Sequence, residues 1–153
     1  MPERINTRAG DKADKKHPAD KKHPADKKHP KAILVIEDSP TQAMHLQVLL
    51  EQEEVEVILA FDGKTGLEMA RQLHPDLIVL DVQMPELNGF QVCRQLKNAR
   101  DTADIPIIMF TRHDEQEAVV LGLQTGAVDY IPKDAFADAV LLETLRQMKI
   151  IGQ

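Results

Sequence analysis

Five short apolar runs recur along the chain, and each is followed by a segment with the periodicity of an amphipathic helix. The first run, residues 32–36, is apolar at every position and ends at the acids Glu37 and Asp38. Such a run is typical of a strand buried on both faces of a parallel sheet. Ser39 and Pro40 then supply the cap and first turn of a helix. The further predicted strands are 55–60, 77–80, 105–110 and 130–131, and the further predicted helices are 64–72, 89–98, 115–125 and 136–148.

This alternation of strand and helix predicts the fold class. Right-handed crossovers between parallel strands place helices on both faces of one sheet. We therefore expect an α/β fold, a doubly wound five-stranded parallel sheet with five helices. In such a sheet the ligand site lies beyond the carboxyl ends of the strands, beside the point where the winding direction reverses.

Chemically active residues collect at that predicted edge. Glu37 and Asp38 end the first strand, Asp81 the third and Thr111 the fourth, and Lys133 follows the fifth. Each acid alone is explained equally well as a solvated strand end or a loop cap, but five such residues at one edge favour a site. Carboxylates at close quarters raise one another's pKa unless a cation is present. Mg²⁺ binds carboxylates, carbonyls, waters and phosphate oxygens, so we predict a Mg²⁺ site with positions open for phosphate.

The same residues suit phosphoryl transfer. A carboxylate that attacks a phosphoryl donor forms an acyl phosphate, and the reaction then requires positioning and neutralisation of the phosphoryl oxygens. Here Asp81 is the acceptor, Lys133 pairs with one phosphoryl oxygen and the Thr111 hydroxyl hydrogen-bonds another.

Together these motifs resemble the receiver domain of bacterial two-component response regulators, and single-domain chemotaxis regulators in particular. The matching features are the acid pair, Asp81 with residues 84–89 behind it, Thr111, Gly126-Ala127 and Lys133, and they span residues 31–149. The resemblance implies a flavodoxin-like sheet with strand order 2-1-3-4-5.

The resemblance also implies a function. Asp81 is phosphorylated by a histidine kinase or phosphotransfer protein, and Mg²⁺ is held by Glu37, Asp38, Asp81 and the main-chain carbonyl of Gln83. The domain catalyses its own phosphorylation and dephosphorylation and is not otherwise an enzyme. In the implied switch, phosphate draws Thr111 inward and Tyr130 turns into the vacated space. The alternative for Tyr130 is an ordinary half-buried strand aromatic.

Two positions depart from the family pattern. Arg112 stands where a small residue usually leaves the phosphate accessible, and His113 follows at a position that tunes dephosphorylation. Lys133 is followed by Asp134 and not by the usual proline of a cis peptide. A non-proline cis bond costs about 3 kcal/mol, so we expect either a trans bond or tolerated strain.

Composition limits the other functions. The single cysteine, Cys93, excludes an intrachain disulfide and is expected to be buried in a helix. Residues 31–153 hold ten Lys/Arg against twenty Asp/Glu, and such an acidic body repels a phosphate backbone, so we expect no direct DNA binding. No apolar run approaches the length of a membrane span or a secretory signal. A soluble, cytoplasmic protein is expected.

Residues 1–30 have a different character. They hold nine Lys/Arg against five Asp/Glu and contain the hexapeptide Ala-Asp-Lys-Lys-His-Pro three times, from residue 13 to residue 30. A proline in every repeat disfavours a long helix, so we interpret the segment as an extended basic tail. Its histidines, His17, His23 and His29, leave a metal-binding interpretation open.

Three functional hypotheses remain: a phosphorylatable receiver, a pseudo-receiver that only scaffolds partners, and a phosphatase of similar fold. The phosphatase is disfavoured because Gln83 stands where those enzymes generally need a second Asp. Residues 150–153 leave no room for an effector, so we expect action by docking on a downstream protein. The last predicted helix has apolar residues on more than one face, namely Val140, Leu141, Leu142, Leu145 and Met148. This favours a homodimer or target contact through the fourth helix, fifth strand and fifth helix.

Overall fold

Strands and helices alternate along residues 30–152, the part of the 153-residue chain that the computed structural model describes. The strands are β1 (Ala32–Ile36), β2 (Glu56–Ala60), β3 (Leu77–Leu80), β4 (Ile107–Thr111) and β5 (Asp129–Pro132). The helices are α1 (Pro40–Glu51), α2 (Gly63–Leu73), α3 (Gly89–Asn98), α4 (Gln116–Gln124) and α5 (Ala137–Gln147).

The five strands form one parallel sheet in the order β2-β1-β3-β4-β5. The predicted α/β class, helix count and strand order are confirmed. β1 lies between β2 and β3, so the winding direction reverses beside it. The last pair in the β1–β3 register is Ile36 with Leu80, and the residues that follow these strands therefore meet at one edge.

Two apolar layers hold the helices on the sheet. Leu34 and Ile36 of β1 enter the layer beneath α2, α3 and α4, whereas Ile33 and Val35 enter the layer beneath α1 and α5. Side chains alternate between the faces of a strand, so a strand between two helical layers must be apolar at every position. Cys93 is buried in the first layer, as expected.

Element ends differ from the predicted ones by at most two residues, and the largest difference is at β4. The prediction began this strand at Ile105, but the observed strand begins at Ile107. Pro106 has no N–H to donate to the sheet, although its carbonyl accepts from Ile78 N at 3.0 Å. The strand also runs one residue further than predicted, so Thr111 is its last residue.

The apolar character of α5 arises mainly from the core. Leu141 and Leu145 are buried, and Leu142 and Met148 are partly buried against the second layer. Of the five apolar residues identified in the sequence, Val140 alone is largely exposed, at 46%. The apolar residues of α5 therefore supply little of a contact surface by themselves.

No helix within residues 30–152 is long and apolar enough to cross a membrane. The hexapeptide repeats occupy residues 13–30 and contain His17, His23 and His29. All of these residues except Pro30 lie outside the range that the structure describes. The basic-tail and metal-binding interpretations stay predictions.

Candidate functional site

Three of the predicted acids meet at the carboxyl edge of the sheet. Glu37 and Asp38 directly follow β1, and Asp81 directly follows β3, its neighbour. Carboxylate oxygens of the three residues lie within 4.8 Å of one another. Glu37 is 2% exposed and Asp81 is 7% exposed, whereas Asp38 is half-buried. Two carboxylates are thus largely removed from water and lie beside a third. This arrangement is unfavourable in free energy unless a cation compensates the negative charge.

The segment behind Asp81 holds its backbone in place. The N–H of Gln83 donates to Asp81 Oδ1 at 3.1 Å, so the main chain of this fourth predicted ligand lies against the carboxylate. Asn88 caps α3: its Oδ1 accepts from Gln91 N, and Gln91 Oε1 in turn accepts from Asn88 N. At Gly89 a β-carbon would lie 2.4 Å from the Asp81 carbonyl oxygen. Only glycine therefore lets α3 begin this close to the end of β3.

Lys133 reaches into the acidic cluster from the loop after β5. Its ammonium donates to Glu37 Oε1 at 2.7 Å, to Asp81 Oδ2 at 3.3 Å and to Gln42 Oε1. The same nitrogen lies 5.6 Å from the ring centroid of Phe110. The lysine side chain is 13% exposed, so these ion pairs lie largely out of solvent. The cation thus offsets part of the repulsion between the two buried acids.

The two buried carboxyls have opposite pKa shifts. The pKa of Glu37 is raised to about 7, mainly by burial and then by a hydrogen bond with Asp81, and the bond from Lys133 acts against this rise. Burial also acts to raise the pKa of Asp81, but hydrogen bonds with Glu37 and Thr111 and the charge of Lys133 outweigh it. The pKa of Asp81 is therefore below its ordinary value. Of the two carboxyls, Asp81 therefore ionises at the lower pH, and it is a carboxylate at neutral pH.

Thr111 and Tyr130 lie on the adjacent strands β4 and β5. Thr111 is fully buried, and its hydroxyl oxygen accepts from His113 N at 3.2 Å. The Tyr130 ring packs against Gly122 of α4, where a β-carbon would lie 2.7 Å from the ring. Its hydroxyl donates to the His113 carbonyl. Burial and nearby carboxylates raise the pKa of Tyr130 to about 12, so the phenol keeps the proton that it donates.

The two departures from the family pattern occupy different positions around the site. Arg112 is exposed and lines a cavity of about 400 Å³ together with Gln42, Phe110 and Lys133. The described peptide bonds, including the one between Lys133 and Asp134, are all trans. Asp134 accepts from Phe136 N at 2.9 Å, so its carboxylate organises the turn into α5.

Sequence analysis missed two contacts made by α1. Gln42 lies four residues after Asp38 in the first turn of the helix and binds Lys133. His45, three residues further along, contacts Asp138 Oδ2 of α5 at 2.7 Å. Gln42 and His45 are three residues apart and therefore lie on one helical face. The position of Gln42 in the first turn, shortly after Asp38, was the feature of the sequence that could have identified it as a site residue.

The donor set fits a hard divalent cation. Glu37, Asp38 and Asp81 offer carboxylate oxygens only. Mg²⁺ and Ca²⁺ prefer oxygen ligands of this kind, whereas Zn²⁺ sites are usually built from Cys and His. The acidic cluster can therefore hold a metal ion.

The fold and this site define a class of protein. Residues 33–146 match the family model described as the response regulator receiver domain. The chain belongs to this family, the receiver domains of two-component systems.

The share of a relative's length that the chain covers differs between relatives. It is 39% identical to protein PilH of Pseudomonas aeruginosa over 109 residues, which are 71% of this chain and 90% of PilH. It is 45% identical over 103 residues to the alkaline phosphatase synthesis transcriptional regulatory protein PhoP of Bacillus subtilis. That match covers 67% of this chain but only 42% of PhoP.

Solved structures share the fold. The receiver domain of the sensor histidine kinase PA1611 from P. aeruginosa, with a magnesium ion coordinated in its active-site cleft, is 28% identical. The TM-score is 0.71, and the alignment covers 78% of this chain and 97% of that one. The chemotaxis protein CheY4 of Vibrio cholerae, also 28% identical, gives a TM-score of 0.72 over 78% of this chain and 98% of that one.

Proposed function

We propose that this receiver accepts a phosphoryl group on Asp81 from a phosphohistidine of a histidine kinase or phosphotransfer protein. The observation that carries the proposal is the environment of Asp81. This carboxylate is buried at a strand end, its pKa is held below the ordinary value, and Lys133 and Thr111 are its partners. An ionised carboxylate beside a fixed cation is suited to nucleophilic attack on phosphorus.

In the transfer, one oxygen of Asp81 forms a bond to phosphorus as the bond from phosphorus to the donor imidazole breaks. The electron pair of the broken bond stays on the imidazole nitrogen, and Asp81 becomes an acyl phosphate. The Lys133 ammonium pairs with one phosphoryl oxygen, and the Thr111 hydroxyl donates to another. Water later attacks the phosphorus, the bond from phosphorus to the Asp81 oxygen breaks, and inorganic phosphate leaves as the carboxylate is restored. The domain thus catalyses its own loading and unloading and acts on no separate substrate.

Mg²⁺ is the proposed cofactor, and it would be held by Glu37, Asp38, Asp81 and the Gln83 carbonyl. When bound, it supplies positive charge against the phosphoryl oxygens. The oxygen-only donor set supports this proposal, as does the magnesium ion in the related receiver domain of PA1611.

The direct test uses a small phosphoryl donor. Purified protein incubated with acetyl phosphate and Mg²⁺ is expected to gain the mass of one phosphoryl group, read by intact-protein mass spectrometry. A parallel sample with EDTA should gain little. No modification under saturating donor and Mg²⁺ would refute the proposal and favour the pseudo-receiver scaffold.

Mg²⁺ binding is expected to depend on pH because of Glu37. Burial raises the pKa of Glu37 to about 7, so below that pH the metal must displace a proton from this carboxyl. Affinity should therefore rise as the pH increases through neutrality, and should be about tenfold weaker at about pH 6 than at about pH 8. Isothermal titration calorimetry at the two pH values measures this difference. The Glu37→Gln variant is the control and should show a much flatter pH profile. An unchanged wild-type affinity would contradict the assignment of Glu37.

The proposed output is a change in protein contacts, with Thr111 and Tyr130 as the switch. The Tyr130 hydroxyl already bonds the His113 carbonyl, two residues beyond Thr111 in the chain. A shift of Thr111 towards the phosphoryl group would move this loop and, with it, the acceptor of the Tyr130 hydrogen bond. The ring and loop together thus form an element that a new charge at Asp81 can bias.

We propose that the face formed by α4, β5 and α5 contacts a downstream protein or a second copy of the receiver. Support comes mainly from α4 and the residue before β5, since Val120, Leu123 and Val128 are 46%, 45% and 54% exposed.

Analytical ultracentrifugation over a range of concentrations, with and without acetyl phosphate, is expected to show a dimer that phosphorylation strengthens. Val120→Glu should weaken it, whereas Val48→Glu, an exposed position on α1, should not. A monomer at every concentration in both states would refute the dimer.

A further inference from the structure

The Lys133 ammonium has three hydrogen-bond acceptors in the site, and they differ in charge and in whether they belong to the acidic cluster. Glu37 Oε1 and Asp81 Oδ2 belong to the acidic cluster that can hold a metal, and Asp81 is also the proposed acceptor. The third acceptor, Gln42 Oε1, lies outside that cluster. Of the three, it is also the only uncharged one.

The helix that carries Gln42 is firmly placed. The Ser39 side chain caps α1 by accepting from Gln42 N, and Pro40 occupies the first turn. Ala43, Leu46 and Leu50 of α1 are buried in the core and anchor the helix against the sheet. The Gln42 amide therefore projects from a rigid first turn, and the residue that it binds lies 91 positions away in the chain.

We infer that Gln42 is a positioning residue for phosphoryl transfer, because it holds the Lys133 ammonium in place while the two carboxylates change partners. A cation held by the cluster would compete with Lys133 for the Glu37 carboxylate. When Asp81 is phosphorylated, one of its oxygens becomes the bridging oxygen of the acyl phosphate, and the carboxyl group loses its negative charge. Only the Gln42 contact can persist through all of these states. The inference rests on the proposed function, since it assigns Gln42 a role in that same reaction.

A side-chain measurement tests this role without any phosphorylation. In protein labelled with ¹⁵N at lysine, the Lys133 ammonium should give an NMR signal protected from exchange with water. We expect Gln42→Met to lose that protection, since methionine has similar length and helix propensity but no comparable acceptor. Gln42→Glu keeps an acceptor oxygen and should retain the signal. Gln47→Met, on the same helix but not among the partners of Lys133, is the matched control.

A double-mutant cycle tests the role in the reaction. Gln42→Met should slow phosphorylation by acetyl phosphate about tenfold, the size expected for loss of one hydrogen bond to a charged group. If Gln42 acts through Lys133, the same substitution should change the rate by less than about twofold in a Lys133→Met background. Lys133→Ala, which also lacks a donor, provides a second background if the methionine variant does not fold, which circular dichroism will show.

The outcomes separate this inference from the proposed function. Equal slowing by Gln42→Met in the presence and absence of Lys133 would indicate a general structural effect and overturn the inference. Retention of the protected lysine signal in Gln42→Met would also overturn it. Failure of the wild-type protein to take up phosphate would refute the proposed function, and the NMR comparison would still decide whether Gln42 positions Lys133.

Discussion

Replacing Asp81 with asparagine is expected to reduce uptake of a phosphoryl group from acetyl phosphate to background. The asparagine amide is not a nucleophile and cannot form an acyl phosphate. Lys133 and the Gln83 N–H both contact the Asp81 carboxylate, and Thr111 helps to hold its pKa below the ordinary value. The protein groups that would stabilise a phosphoryl group are therefore aimed at this residue. Intact-protein mass spectrometry with saturating donor and Mg²⁺ measures the result.

The variant should remain folded, which makes the loss interpretable. Asparagine presents an oxygen where Asp81 Oδ1 accepts from Gln83 N at 3.1 Å, so that hydrogen bond can persist. The substitution also removes one of two buried negative charges. Thermal melting followed by circular dichroism checks the fold, and Asp101→Asn, at an exposed acid after α3, is the matched control. Uptake by Asp81→Asn at the wild-type rate would place the acceptor elsewhere, and Asp38 would be the first residue to examine.

Replacing Gly89 with alanine should destabilise the protein by about 1–3 kcal/mol, the usual cost of forcing an extra methyl group into a packed site. The added β-carbon would lie 2.4 Å from the Asp81 carbonyl oxygen and 2.7 Å from the Val82 α-carbon. Both are backbone atoms, so the clash cannot be relieved by turning a side chain. Urea denaturation gives the change in the free energy of unfolding.

Two opposing effects make the sign of this result informative. Alanine has the higher helix propensity, by up to about 1 kcal/mol, so propensity alone would predict that Gly89→Ala stabilises α3. Packing against the strand end predicts the reverse and should dominate. Gly152→Ala is the control, because a β-carbon there would meet no atom within 4 Å. A Gly89→Ala protein as stable as the wild type would show that α3 does not pack this closely behind Asp81.

The sequence was sufficient for features that depend on local pattern. A run such as Ala32–Ile36, apolar at every position, identifies a strand covered on both faces, because side chains alternate between the faces of a sheet. Parallel strands separated by helices must point the same way, so the residues after β1, β3, β4 and β5 had to meet at one edge. Strand pattern and spacing alone therefore place five residues at one edge: Glu37, Asp38, Asp81, Thr111 and Lys133.

The tertiary structure decided how those residues interact. Lys133 bonds Gln42 across 91 positions, and His45 contacts Asp138 across 93, and no periodic signal reports contacts of that length. The raised pKa of Glu37 depends first on burial, which is a property of the whole packed edge. Likewise, the core takes up Leu142 and Met148, which the sequence pattern had assigned to a contact face. The sequence by itself determined which groups reach the site, because strand direction and period are local. Their partners, protonation and exposure were decided by packing, because these depend on distances between segments far apart in the chain.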